Sequence, residues 1–315
     1  MNAEQLNAKR REIVEQFGEW TRHNIHLADD IYTYDANHPK FKEHLLKRGV
    51  RLRRVVQIIS DITNQPIKDL RVLDLACLEG LYGIELARHG ARVVCIEGRE
   101  ANLVKARFAK DVLALDNITF VQDDVRNLSV EKYGQFDVVL CLGILYHLDA
   151  PDVFHFVQRV SDVCTRVAII DTHLAVRANK TMSYQGEDYH GSTYTEHSPE
   201  STKEERLKSL RASLFDEKSF WFTRSSLFNL LSRAGFTSVY TCQNPVVIQW
   251  INRDTVVAIK GIRPKLISTP IVNSSRDEFW PEDIKIGIHP SQGSTFMSKL
   301  KFLRGLRNLA RRLLG

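Results

Sequence analysis

The amino-acid sequence predicts an α/β protein built on a doubly wound, seven-stranded, mostly parallel sheet. Two observations carry that expectation. Between Arg71 and Gly261 short β-rich apolar runs alternate with amphipathic helical patterns, the rhythm of parallel strands joined by crossover helices. The series then ends in two β-rich runs with no helix between them, 237–244 and 254–261, which reads as a closing antiparallel hairpin. At 315 residues, 43% hydrophobic and 26% charged, the chain has the composition of an ordinary globular protein with room for one large domain and appendages.

The elements follow in order. RVLDLA (71–76) has the chemistry of a buried strand, and a helix is expected over about 81–89. ARVVCIEG (91–98) is the next strand, and EANLVKARFAKDVLAL (100–115) the next helix. ITFVQDDV (118–125), FDVVLCLG (136–143) and RVAIIDTH (166–173) continue the strands, with APDVFHFVQRVSDVC as the helix between the last two. TRSSLFNLLSRAGF (223–236) supplies a helix with Thr223 as N-cap and Gly235 as its stop. The expected organisation is an N-terminal helical region (1–70), a core (71–261) interrupted by an insertion (174–220), and a tail (262–315).

Five cysteines (Cys77, Cys95, Cys141, Cys164 and Cys242) are scattered without a CxxC pair. That pattern fits free, reduced core thiols rather than a disulfide framework or a zinc site. The N-terminal stretch is charged and lacks an apolar signal core, and no segment reaches the ~18 apolar residues of a membrane span. The expectation is a cytoplasmic protein. The formal charge of +6 lies in the tail. Residues 284–315 hold seven basic side chains and no acidic one, so of 44 basic residues 37 remain against 38 acidic ones in the body.

DLACLEGLYG, Asp74 to Gly83, lies where a glycine-rich nucleotide loop is expected, yet it holds only Gly80 and Gly83. A dinucleotide loop needs bare backbone so that a pyrophosphate can approach the helix N-terminus. S-adenosylmethionine has no phosphate; its ammonium, sulfonium and ribose hydroxyls want carboxylates and carbonyls. An acid at the strand end followed by Gly80 suits that cofactor. Glu97, about 20 residues beyond the start of the loop, is placed to accept both ribose hydroxyls. Asp123 and Asp124 close the third strand, and three acids at three successive strand ends are expected to face one crevice.

On these residues the sequence resembles the class I S-adenosylmethionine-dependent methyltransferases, whose Rossmann-like sheet has seven strands and ends in a hairpin. Their loop commonly reads D-x-G-x-G-x-G; here Ala76 and Leu78 replace two glycines, which is expected to require negative φ at both. The resemblance implies cofactor contacts from Asp74, Ala76, Gly80, Tyr82, Glu97, Asp124 (at the adenine amino group), Val125 and Gly143. GILYHLDAP together with WTRHNIHLADDIYT (20–33), where Trp20, His23, Ile25 and Leu27 fill the pattern, resembles a branch that includes wobble-uridine tRNA modifiers and glycan or secondary-metabolite methyltransferases. That segment is either a flap on the sheet edge or a direct cofactor contact.

His147 is the candidate general base for an acceptor hydroxyl, because an imidazole titrates near neutrality; the alternative is a histidine packed against the loop or the cofactor. The insertion YQGEDYHGSTYTEHSPEST is expected to form hydrogen-bonding loops that cover the acceptor. Tyr184, Tyr189, His190 and Tyr194, with Tyr146 and Trp221, are the candidate acceptor contacts. Asp171 and His173 are two ligand types without a third, so no metal set is assigned. In the tail, Leu300, Leu303, Leu306, Leu309 and Leu313 recur at helical spacing among Lys and Arg. This basic amphipathic helix over 294–315 reads as an interfacial anchor on an anionic inner membrane face, or as a helix docking on its own domain or a partner. The acceptor expected is a small molecule, a sugar or lipid-linked glycan methylated on oxygen. The other readings are a tRNA modifier, disfavoured because the body is near neutral, and a non-catalytic cofactor-binding scaffold. The oligomeric state is left open.

Overall fold

The computed structural model describes residues 2–242 and 252–273. Its centre is a seven-stranded sheet. In chain order the strands are β3 (Arg71–Leu75), β4 (Arg92–Glu97), β5 (Ile118–Gln122), β6 (Phe136–Leu142), β7 (Cys164–His173), β11 (Ser238–Cys242) and β12 (Arg253–Ile259). Across the sheet the order is β11-β12-β7-β6-β3-β4-β5. The pairs among β3 to β7 are parallel, and β12 and β11 add antiparallel on the β7 side. Strand order reverses at β3, which lies between β4 and β6. A crevice opens beyond the carboxyl ends of strands at such a reversal.

The crossovers are α3 (Leu81–Arg88), α4 (Glu100–Val112), the short α5 (Val130–Tyr133) and α6 (Asp152–Val163), followed by α8 (Arg224–Arg233). Burial on both faces explains the near-continuous apolar strands. In β3, Val72 packs with α3 and α4, whereas Leu73 and Leu75 point to the opposite face with α6 and α8. Each such fully buried side chain contributes about 1.5–3 kcal/mol. Thr223 caps α8 through Ser226 N at 3.3 Å, and Gly235 follows its end with φ 110°, as the sequence leads one to expect. All five cysteines are free.

The N-terminal region is only partly helical. Between α1 (Ala3–Phe17) and α2 (Phe41–Thr63) a small hairpin forms from β1 (His26–Ala28) and β2 (Ile31–Tyr32). Trp20, Ile25 and Leu27 are buried, and Trp20 meets Phe108 of α4. The insertion also departs from expectation: it is a sheet rather than loops. β8 (Lys180–Tyr184), β9 (Glu187–Thr195) and β10 (Lys218–Phe222) pair antiparallel in the order β10-β9-β8, with α7 (Lys203–Lys208) between β9 and β10. Gln185 and Gly186, both at positive φ, make a two-residue hairpin turn. Alternating Ser, Thr and Tyr serve a strand as well as a loop, and the turn decides between them. The basic amphipathic segment over 294–315 lies outside the described residues. Among the described residues no helix is long and apolar enough to cross a membrane.

Candidate active site

A cavity of about 800 Å³ opens at the carboxyl ends of β3, β4, β6 and β7, and residues of the N-terminal segment and of the insertion complete its lining. The loop after β3 presents Ala76 and Leu78 to it, and the end of β4 presents Glu97.

That loop is the main surprise. Ala76 and Leu78 have φ of 51° and 52°, so both stand in the left-handed region that favours glycine, contrary to the expectation of negative φ. Such a conformation costs an L-residue about 1–2 kcal/mol and persists because neighbours fix it. Leu78 N donates to Glu97 Oε2 at 3.0 Å, Cys77 N to Ile96 O at 3.1 Å, and Gly80 N to Cys77 O at 2.9 Å. Gly80 serves packing: at φ 81° a Cβ there would stand 2.9 Å from the Phe120 ring.

Glu97 is 3% exposed, and burial pushes its carboxyl above the usual range against the hydrogen bonds from Arg99 N and Leu78 N. Arg99 N donates to Oε1 at 3.0 Å. Two of about four acceptor positions on the carboxylate are thus used, and the others remain for vicinal hydroxyls. Nearby, the Tyr82 hydroxyl is buried, lines the cavity and has no hydrogen-bond partner. An acceptor-rich strand end without a phosphate cradle fits the ribose and amino groups of S-adenosylmethionine.

The three acids do not share the crevice. Of Asp74, Glu97 and Asp124, only Glu97 lines it. Asp74 lies beneath, 1% exposed, accepting from Gly83 N at 3.1 Å. Burial pushes its carboxyl up to about 7, partly offset by that bond and reinforced by Glu97. Asp124 is held by Arg126, whose Nη2 and Nε reach its Oδ2 at 2.7 and 3.0 Å. Val125 beside it is buried in the core. An acid at a strand end is as well suited to cap a helix or bind an arginine as to meet a ligand, and spacing does not separate these roles.

His147 and Tyr146 follow β6 and line the cavity with Gly143. His147 Nδ1 is 2.8 Å from Glu196 Oε2, a residue of the insertion. Burial alone would raise the Glu196 carboxyl; the imidazole, Ser213 N and Ser219 Oγ outweigh it and hold it below the usual range. A carboxylate only accepts, so Nδ1 carries the proton of this bond and Nε2 is the basic nitrogen. Trp221 lines the cavity, stacks on Tyr194 at 4.6 Å between centroids and donates to Tyr146 O at 2.9 Å. Tyr184, Tyr189 and His190 are placed elsewhere. Tyr184 stacks on Phe154 at 5.0 Å, Tyr189 is 2% exposed in the core, and His190 Nδ1 meets Thr181 Oγ1 at 3.0 Å. In a strand alternate residues face opposite ways, which turns Tyr189 from the face of Tyr194; His190 shares that face but stands four residues away along β9, and Tyr184 belongs to β8.

Asp171 is engaged by guanidiniums. It pairs with Arg51, and Arg253 Nε reaches its Oδ1 at 2.5 Å. No group of three metal-binding side chains occurs among the described residues. Several site residues escape sequence reasoning. Glu79, 0% exposed, accepts from Thr21 N at 2.5 Å and ties the N-terminal segment to the loop. His23, by contrast, stands in the 20–33 pattern read from the sequence: its Nδ1 accepts from Leu81 N at 3.3 Å, so this segment both packs on the core and lines the cavity. Arg99 Nη2 binds the Ala212 and Ser213 carbonyls at 3.1 and 2.9 Å and latches the insertion beside Glu97. His44 and Arg51 share the buried stripe of α2 with Val55, Ile59 and Thr63, and polar residues in phase with Val55 and Ile59 are the one signal that was available for this group.

Residues 72–166 match the profile of a family described as "Methyltransferase domain". The chain is 36% identical over 81 residues to the ubiquinone biosynthesis O-methyltransferase of Acinetobacter baylyi, covering 26% of this chain and 34% of that protein. It is 28% identical over 128 residues to the enzyme of the same description from Rickettsia bellii, covering 39% and 50%. The chain thus spans between about a third and a half of the length of these curated relatives. Among solved structures, the N-terminal domain of EvdMO1, described as determined in the presence of SAH and D-fucose, superposes with a TM-score of 0.61 at 23% identity. That match covers 84% of this chain and 98% of that one. The shared architecture is the Rossmann-like α/β methyltransferase fold with its seven-stranded mixed sheet.

Proposed function

We propose that this protein is an S-adenosylmethionine-dependent methyltransferase that transfers a methyl group to a hydroxyl of a small, sugar-like molecule. The observation that carries the reading is the Glu97 carboxylate, held at the end of β4 by two backbone N–H groups and facing the cavity inside a segment that matches a methyltransferase domain. When bound, the cofactor supplies an electrophilic methyl group on a sulfonium. The chain's residues do the remaining work. Glu97 accepts from the ribose hydroxyls, and the left-handed loop at Ala76 and Leu78 shapes the adjoining wall. Asp74 supports that loop from below through Gly83. His147, oriented by Glu196, takes the acceptor's hydroxyl proton on Nε2. Tyr146 and Tyr194 offer aromatic surface with polar edges, which suits a sugar ring, Trp221, stacked between Tyr194 and His173, fixes that wall, and Arg99 holds the insertion closed over the site and excludes water.

The EvdMO1 structure described with D-fucose supports the sugar preference, and the ubiquinone-pathway names support oxygen as the methylated atom. For the tail we retain the reading of a basic amphipathic helix over 294–315 that meets an anionic membrane surface. Removing 294–315 should abolish sedimentation with vesicles of anionic phospholipid, and a full chain that never sediments refutes the anchor. The catalytic reading is tested with methyl-labelled S-adenosylmethionine and a panel of sugar, phenol and amine acceptors. The expected result is label on a sugar hydroxyl. Label only on amines, or none with any acceptor from a host-cell extract, would overturn it.

A further inference from the structure

The cavity is far more cationic than the chain as a whole. Eight guanidinium or ammonium side chains line it, against four carboxylates, Glu43, Glu97, Asp171 and Glu196. The cations come from separate parts of the chain: Arg22 from the segment after α1, Arg48, Arg51 and Arg54 from α2, Arg211 from the insertion and Arg253 from β12. Of the four acids, Asp171 is shared by Arg51 and Arg253, Glu43 pairs with Lys47 at 2.9 Å, and Glu196 is occupied by His147. Arg22, Arg48 and Arg211 have no carboxylate partner among the described residues. Burial, first, and then neighbouring guanidiniums hold both Arg22 and Arg48 below the usual arginine range: Arg211 and Arg253 act on Arg22, and Arg51, Arg22 and Arg253 on Arg48, with Tyr146 and Tyr82 respectively offsetting part of the effect.

Two further observations point to a ligand. Arg51 is only 8% exposed, yet its Nε has no hydrogen-bond partner, and the buried Nδ1 of His44 is likewise unpartnered. Both residues line the same cavity. A cluster of like charges drawn from four chain segments around unsatisfied buried donors is costly unless something anionic completes it. The cofactor does not: its ammonium and sulfonium outnumber its single carboxylate, so it adds positive charge. A single carboxylate on the acceptor also falls short of the excess. Guanidinium forks match phosphate oxygens in pairs.

We infer that the acceptor is a phosphorylated small molecule with at least two negative charges, seated by Arg22, Arg48, Arg51 and Arg211 so that its hydroxyl faces His147. The inference rests on the methyltransferase reading for the identity of the second ligand, but the anion site itself does not. A small molecule is favoured over RNA because the N-terminal segment and the insertion contribute to the lining together with the core, and the cavity volume is about 800 Å³, within the usual range for small-molecule sites.

The test is calorimetric titration of the full chain at low ionic strength with inorganic pyrophosphate, a uridine diphosphate sugar, the corresponding neutral sugar, acetate and a single-stranded RNA dodecamer. S-adenosylhomocysteine is titrated separately. Saturable one-to-one binding of pyrophosphate and the nucleotide sugar is expected, with the neutral sugar and acetate at least tenfold weaker. Arg48→Gln should weaken pyrophosphate at least tenfold, Arg48→Lys should retain most of the binding, and both should keep the wild-type circular dichroism. Pyrophosphate that fails to bind the wild type, or that binds Arg48→Gln and the Arg22→Gln/Arg48→Gln/Arg211→Gln variant as tightly as the wild type, would overturn the site. RNA binding tighter than pyrophosphate and lost in the same variants would overturn the small-molecule assignment. Pyrophosphate binding without any binding of S-adenosylhomocysteine would leave the anion site standing and remove the methyltransferase reading.

Discussion

Ala76 and Leu78 show how much of the cofactor loop is backbone geometry rather than residue identity. Both adopt positive φ without glycine, so Ala76→Gly should stabilise the fold by about 1 kcal/mol as the steric cost is relieved, a gain read from the midpoint of urea unfolding. Asp74 sets a pH dependence. Its carboxyl rises from 3.8 to about 7 on folding, so the native state binds the extra proton between those values and stability falls as pH rises from about 4 to 7. The full effect is up to about 4 kcal/mol. Denaturation across that window should show the fall, and Asp74→Asn should flatten it. At the reacting end, His147→Gln is expected to lower kcat by about 10²-fold or more with little change in the KM for cofactor; an unaltered kcat would make His147 a packing residue. The placement of Glu97 and His147 on the cavity was legible because an acid at the second strand end and a histidine after the fourth are spaced by the fold itself. The absence of Asp124 from the cavity lining was not, since only the structure shows that Arg126 claims it.

Among the elements, the inserted sheet carries the most consequence. It brings Glu196 to His147 and Trp221 to Tyr146, and it is closely packed at Gly191. A Cβ there would stand 2.5 Å from the Phe220 ring and closer still to the Trp221 carbonyl oxygen. Gly191→Ala should therefore cost about 1–3 kcal/mol and raise the KM for the acceptor more than that for the cofactor, as initial-rate kinetics would show. The core strands and helices were readable because burial on both faces of a parallel sheet writes itself as apolar runs, and Thr223 announces α8 by its capping chemistry. The insertion was misread as loops because alternation of Ser, Thr, Gly and Tyr carries little apolar signal. Its hairpin depended on Gln185-Gly186, a weaker turn signal than Asn-Gly.

For the whole molecule, net charge proved a poor guide to local potential. A body close to neutral in the sequence concentrates eight cations around one cavity, so the near-neutral sum does not argue against an anionic partner. The Rossmann-like topology of the seven core strands and their main crossovers was legible between 71 and 261, where each has its own pattern, whereas the inserted sheet and the short α5 were not. The convergence of Arg22, α2, the insertion and β12 on one site was not, because it joins segments more than 200 residues apart. The central claim is that a crevice built on Glu97 holds S-adenosylmethionine. It is tested most directly by calorimetric titration of the wild-type chain and Glu97→Gln with S-adenosylhomocysteine. One-to-one binding by the wild type, weakened at least tenfold in a Glu97→Gln protein of unchanged circular dichroism, is the predicted result. No binding by either, or equal binding by both, would contradict it.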